Sequence, residues 1–155
     1  MVGALIAAAS MTVAACGQSA PSASPAATPE EALTRLVGFI ADDQGSEACA
    51  SMLAVAQEKF GPDNDAADCE SAVTILSSQV TDKEAFRAMV PSGLAVEGDT
   101  AEVSGYCRDG WTNPDGSRSQ LNFSPNDLGT LTLRRTEDGW MVSDYLGAKH
   151  YSTCG

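Results

Sequence analysis

Five cysteines carry most of the covalent chemistry open to this chain: Cys16, Cys49, Cys69, Cys107 and Cys154. A cysteine sulfur can be lipidated, paired as a disulfide or turned to a metal, and spacing decides among these fates. No two stand in a Cys-x-x-Cys arrangement and His150 is the one histidine, so the donor spacing of a zinc site is missing. An odd number of cysteines in an exported chain calls for a separate role for one of them. Setting Cys16 apart leaves four, an even set suited to two disulfides in an oxidising compartment.

The residues before Cys16 point to that separate role. Met1 to Ala15 is apolar or small throughout, and no charged residue appears before Glu30. So short a stretch falls below the roughly 20 residues a helix needs to cross a bilayer, but it suits the apolar region of a signal peptide. Val13-Ala14-Ala15-Cys16 resembles a lipobox. There a thioether forms on the cysteine, and a peptidase with narrow subsites cuts before it. The opening Met1-Val2-Gly3-Ala4 lacks the Lys or Arg with which a signal peptide starts, an absence that a start codon a few residues upstream explains. Ordinary cleavage with an incidental cysteine, or a buried N-terminal helix, are the competing readings. The cysteine count favours lipidation. The expected organisation is a signal peptide over 1–15, a lipidated Cys16 and Ser/Pro-rich tether over 16–27, and a single domain over 28–155.

Acid–base chemistry has fewer candidates. His150 follows the last predicted strand and is expected near the surface. Asp144 and Tyr145 are neighbours on that strand, so their side chains leave opposite faces and one of them can enter a pocket. A single histidine without a Gly-x-Ser-x-Gly elbow excludes a hydrolytic triad. The stretch from Asp63 to Glu70 has the acidic density of a calcium loop but breaks its pattern. Ala67 stands where a ligand is needed, and Asp68 where the sharp turn needs glycine. An acidic helix start, favoured by the helix dipole, accounts for the same residues. Trp111 lies in a turn-rich stretch, as either a binding aromatic or a cover for a disulfide at Cys107. No catalytic residue, metal or cofactor is assigned.

Charge narrows the partners. The formal net charge is -12, with nine Lys and Arg against 21 Asp and Glu, and Arg134-Arg135 is the one adjacent basic pair. Nothing here neutralises a run of phosphates, so nucleic acid is not a partner. An electrostatic grip on anionic lipid fails for the same reason. Membrane attachment would rest on acyl chains, each buried methylene contributing about 0.8 kcal/mol.

Apolar spacing supplies the elements that position these residues. Thr28, Pro29 and Glu31 read as a cap, first turn and capping box for a helix that buries Leu33, Leu36, Val37 and Ile40. A second helix is expected from Ser46 to about Phe60 and a third from about Asp65 to Gln79, followed by a short helix within 81–89. Hairpins are expected over 94–107, turning at Glu97-Gly98-Asp99-Thr100, and over 129–145, turning at Glu137-Asp138-Gly139. Helices first and strands afterwards give an α+β domain. Three pairings of the four remaining cysteines are open. Cys49–Cys69, pinning the second and third helices, and Cys107–Cys154, fastening the tail to the sheet, are favoured. The first carries a tension, because two cysteines near the starts of antiparallel helices lie too far apart. The second helix must then be broken or cross the third steeply.

This order, and above all the segment Leu131-Thr-Leu-Arg-Arg-Thr-Glu-Asp-Gly-Trp-Met-Val-Ser-Asp-Tyr145, resembles the nuclear transport factor two-like superfold and small actinobacterial lipoproteins of similar layout. The resemblance implies N-terminal helices across a curved antiparallel sheet, a cone with a pocket, and a homodimer formed through the sheet. That superfold hosts cyclases, isomerases and plain binders, so activity does not follow from it. The functional expectation is a non-enzymatic module on the outer face of the cell membrane that binds a small apolar ligand or an envelope protein. The alternatives are a cyclase- or isomerase-type enzyme built on Asp144 or Tyr145, and a structural interaction domain whose cone is filled. The state of the pocket discriminates among them.

Overall fold

The computed structural model describes residues 25–105 and 109–150. Five helices come first: α1 (Pro29–Ala41), α2 (Gly45–Ala50), α3 (Ala54–Asp63), α4 (Cys69–Gln79) and α5 (Lys83–Ala88). The strands are β1 (Val90–Pro91), β2 (Ala95–Glu97), β3 (Thr100–Ser104), β4 (Trp111–Thr112), β5 (Thr130–Thr136) and β6 (Gly139–Leu146). An antiparallel sheet runs in the order β2-β3-β5-β6, and β1 and β4 form a separate two-stranded ribbon. Helices packed on an antiparallel sheet make this an α+β fold, as the element order predicts.

Local chemistry starts the helices where it should. The Thr28 hydroxyl accepts the Glu31 amide at 3.2 Å, while the Glu31 carboxylate accepts the Ala27 amide at 2.7 Å, satisfying two donors the helix cannot. The side chain of Asp68 accepts the Ser71 amide at 2.8 Å, so α4 begins at Cys69 rather than near Asp65. The alternating inner face of the sheet supplies Ala101, Val103, Leu131, Leu133, Val142 and Tyr145. These join Leu33, Leu36, Val37 and Ile40 of α1 and Phe60 of α3 in one core.

The expected second helix is two helices. Between α2 and α3 the chain leaves helical form after Ser51, and Met52 and Leu53 lie along the outer edge of β6. The Leu53 amide donates to the Val142 carbonyl at 2.8 Å, and the Val142 amide donates to the Ser51 carbonyl at 3.1 Å. A strand edge left bare presents unpaired amides and carbonyls, and covering it repays the broken helix. The same break resolves the cysteine tension. Cys49 and Cys69 are disulfide-bonded with their Cα atoms 6.0 Å apart.

Ala26 already belongs to the fold, two residues before the expected boundary at 28. It bridges Gly139, and the Trp140 amide donates to its carbonyl at 3.0 Å. Gly139 has φ 87°, and a Cβ there would stand 2.6 Å from the Ala26 oxygen. Only glycine permits this approach.

Candidate functional site

The region between helices and sheet, where a pocket was expected, is filled by the protein's own side chains. Trp111, Tyr145, Phe60, Phe86, Leu131 and Leu133 are all 2 % exposed or less. Two concavities stand outside this core, both open to solvent. The larger, about 700 Å³, lies beside the disulfide and is lined by Cys49, Cys69, Gln57, Pro62 and three carboxylates, Glu58, Asp68 and Glu70. The smaller, about 190 Å³, lies where the C-terminal turn meets the end of α3.

Asp144 and Tyr145 occupy opposite faces of β6, as strand geometry requires. The Asp144 carboxylate, 49 % exposed, accepts a hydrogen bond from Lys59 Nζ at 2.6 Å. That hydrogen bond, with the Tyr145 amide and the Lys59 charge, outweighs partial burial and holds the carboxyl below the usual carboxylate range. An ionised, paired surface carboxylate is poorly matched to general base work near neutral pH. Tyr145 is buried. Its hydroxyl donates to the Leu128 carbonyl at 2.5 Å and accepts from Asn64 Nδ2 at 3.1 Å, and its ring meets Phe60 edge-on at 4.8 Å. Both of these hydroxyl contacts tie β6 to neighbouring parts of the fold.

Trp111 is in the core and not on a loop surface. It forms β4 opposite Pro91, and Asn126 clamps its backbone from both sides. The Trp111 amide donates to Asn126 Oδ1 at 2.9 Å, and Asn126 Nδ2 donates to the Trp111 carbonyl at 2.9 Å. Its indole Nε1 is buried without a hydrogen-bond partner among the described residues. Neither concavity is lined by Trp111.

Asp63 makes a contact that no local spacing could signal. Its Oδ2 accepts the Gly147 amide at 2.8 Å and its Oδ1 stands 2.7 Å from His150 Nε2, so one carboxylate docks the C-terminal turn onto α3. Lys149 adds a hydrogen bond to the Pro62 carbonyl and an ion pair with Asp65 at 3.3 Å. Partial burial pushes the Asp63 carboxyl up. The His150 and Gly147 hydrogen bonds and the nearby positive charges outweigh it and hold the group below the usual carboxylate range. His150 therefore lies at the surface beyond β6, pairing with an acid 87 positions away. Asp68, also in the acidic stretch, is the cap of α4, and the Ser71 amide holds its carboxyl below the usual range.

Among the described residues no three His, Cys, Asp or Glu side chains gather as a metal site, and no helix is long and apolar enough to cross a membrane. Cys16, Cys107 and Cys154 lie outside the described residues. No known protein family, curated protein or solved structure matches this chain.

Proposed function

We propose that the chain is an extracytoplasmic lipoprotein, anchored through lipid on Cys16, whose domain is a non-enzymatic module that engages another protein of the cell envelope through its surface. The observation that carries this reading is the filled interior. A small apolar ligand needs a concave apolar site that covers most of its surface. The side chains of Trp111, Tyr145, Leu131 and Leu133 already occupy the volume where such a site was expected. The larger concavity is open and rimmed by carboxylates, a poor host for an apolar molecule.

A cyclase- or isomerase-type site has less support. Such chemistry calls for a carboxylate and a donor converging on one pocket. Asp144 is salt-bridged on the surface, and Tyr145 faces the core on the other side of the strand.

Two experiments test the reading. Cys16→Ser should abolish lipid modification and release the domain from membranes; unchanged processing and retention would end the anchoring claim. Chemical cross-linking of the wild-type chain in its native envelope, read by mass spectrometry, should capture a discrete protein partner. Native mass spectrometry showing a small molecule that leaves on denaturation would return the reading to a ligand binder.

A further inference from the structure

The two edges of the four-stranded sheet differ. Along β6 the ladder groups are taken up from outside the sheet: the Trp140 amide donates to the Ala26 carbonyl, and Val142 shares hydrogen bonds with Ser51 and Leu53. β2 has a neighbour on one side only, β3. Gly98, at φ 59°, and Asp99 form the two-residue turn between them, so Glu97 and Thr100 are the closing hydrogen-bonded pair. Bonded and non-bonded pairs then alternate along the ladder, which turns the Val96 N–H and C=O away from β3. Neither group has a partner among the described residues.

The side chains at this edge are sorted by face. Val96 lies on the core side, opposite Ala101, but is 51 % exposed where Ala101 is 1 % exposed. The core layer stops short of β2 and leaves an apolar side chain beside an open backbone edge. On the outer face stand Glu97, Ala95 and, opposite Ala95 on β3, Glu102, all exposed. Neither glutamate has an ion pair among the described residues. Arg134 is on β5, opposite Thr100 and two strands in from the edge.

We propose that the free edge of β2 is where the envelope partner docks, by adding an extended segment of its own chain as a fifth strand. This rests on the protein-binding reading given above and supplies the partner's chemistry. The Val96 N–H and C=O call for another backbone with free ladder groups, which a strand offers and a closed helix does not. Strand alternation then assigns the side chains: an apolar residue beside Val96, flanked by Lys or Arg beside Ala95 and Glu97. Ala95 is small enough for a long basic side chain to cross it toward Glu102, whose backbone is about 10 Å from the added strand. A second copy of this chain suits the edge less. It would bring Glu97 and Glu102 of both copies together, on chains that each carry a net charge of -12.

The test uses the full chain in detergent micelles and a capped synthetic peptide, Lys-Val-Lys-Val-Lys-Val-Lys, read by amide NMR with hydrogen exchange. The peptide should slow exchange of the Val96 amide, and the same residues with the valines in one block should not. Val96→Pro removes the outward donor without touching the β2–β3 ladder and should abolish the effect on its neighbours' signals. Glu97→Lys with Glu102→Lys keeps the test open should proline unsettle the hairpin. That pair should weaken the Lys-Val peptide about tenfold and admit an alternating Glu-Val peptide. No protection of Val96, equal protection by the blocked peptide, or a charge reversal without effect overturns the proposal. Protection that rises with protein concentration alone overturns it in favour of a second copy. Cross-linking in the native envelope separates this proposal from the reading beneath it. If the charge-reversed chain still captures the wild-type partner, the edge is not the dock and the protein-binding reading stands. If the wild-type chain captures none, both fall.

Discussion

Replacing Cys49 and Cys69 together by alanine cuts the covalent tie between α2 and α4. The bond closes a loop of sequence separation 20. Loop-closure entropy for that length is about 11 cal/mol/K, or about 3 kcal/mol at 25 °C. Both cysteines are 7 % exposed, so the alanines also lose a little buried sulfur surface, which adds to the cost. The assay is urea unfolding followed by circular dichroism. With a slope near 2 kcal/mol/M, the midpoint should fall by about 1.5 M. Hydrogen exchange separates two routes to that loss. If the bond acts on the unfolded chain, amides in α2 and in β5 lose protection together. If it acts by holding α2 down, the amides of this six-residue helix exchange early while β5 is unchanged, since so short a helix has little stability alone. A loss below about 1 kcal/mol with α2 still protected would refute the loop-entropy argument.

Asp63→Asn keeps the shape of the clamp but sets an amide N–H₂ against one of its two donors, and should cost about 1–3 kcal/mol at pH 7 in urea unfolding. Because the folded-state carboxyl is held below its ordinary range, its contribution is present above the unfolded value and disappears as pH falls through the folded one. The gap between wild type and variant should therefore close only on the acid side of the usual carboxylate range, and a gap independent of pH would count against the clamp. Tyr145→Phe removes a buried hydroxyl bonded to the Leu128 carbonyl and Asn64, with an expected loss of about 1–2 kcal/mol by thermal or urea unfolding. Gly129→Ala forces a side chain into φ 104°, with its Cβ 2.3 Å from the Leu146 carbonyl oxygen, and should leave little folded protein by circular dichroism. Non-reducing peptide mapping of the exported protein should recover Cys107 joined to Cys154, and free thiols at those positions would exclude the bond.

Much of this fold was legible because its signals are local. Thr28, Pro29 and Glu31 mark the start of α1 within four residues, and Glu137-Asp138-Gly139 marks the closing turn. The alternation of Leu131, Leu133, Val142 and Tyr145 shows which face of the sheet is buried. The cysteine arithmetic went further, since the difficulty of pairing Cys49 with Cys69 already required the second helix to break or cross steeply. Its cause was not in the local sequence. Met52 and Leu53 leave helical form to cover the β6 edge, a partner some 90 positions away.

The site was harder to read than the fold. Strand alternation put Asp144 and Tyr145 on opposite faces, but it cannot say that Lys59 waits on one side and Leu128 on the other. Trp111 looked like a loop aromatic because its neighbours are turn formers, and only the pairing with Pro91 and the Asn126 clamp carry it inside. By itself, then, the sequence determined the α+β order, the start of α1 and the two hairpins, all set by spacing over a few residues. Tertiary structure alone decided that the interior is full, that Asp63 fastens the C-terminal turn and that Ala26 pairs with the start of β6. Each depends on residues far apart in the chain meeting at hydrogen-bond distance, and short-range spacing carries no record of that.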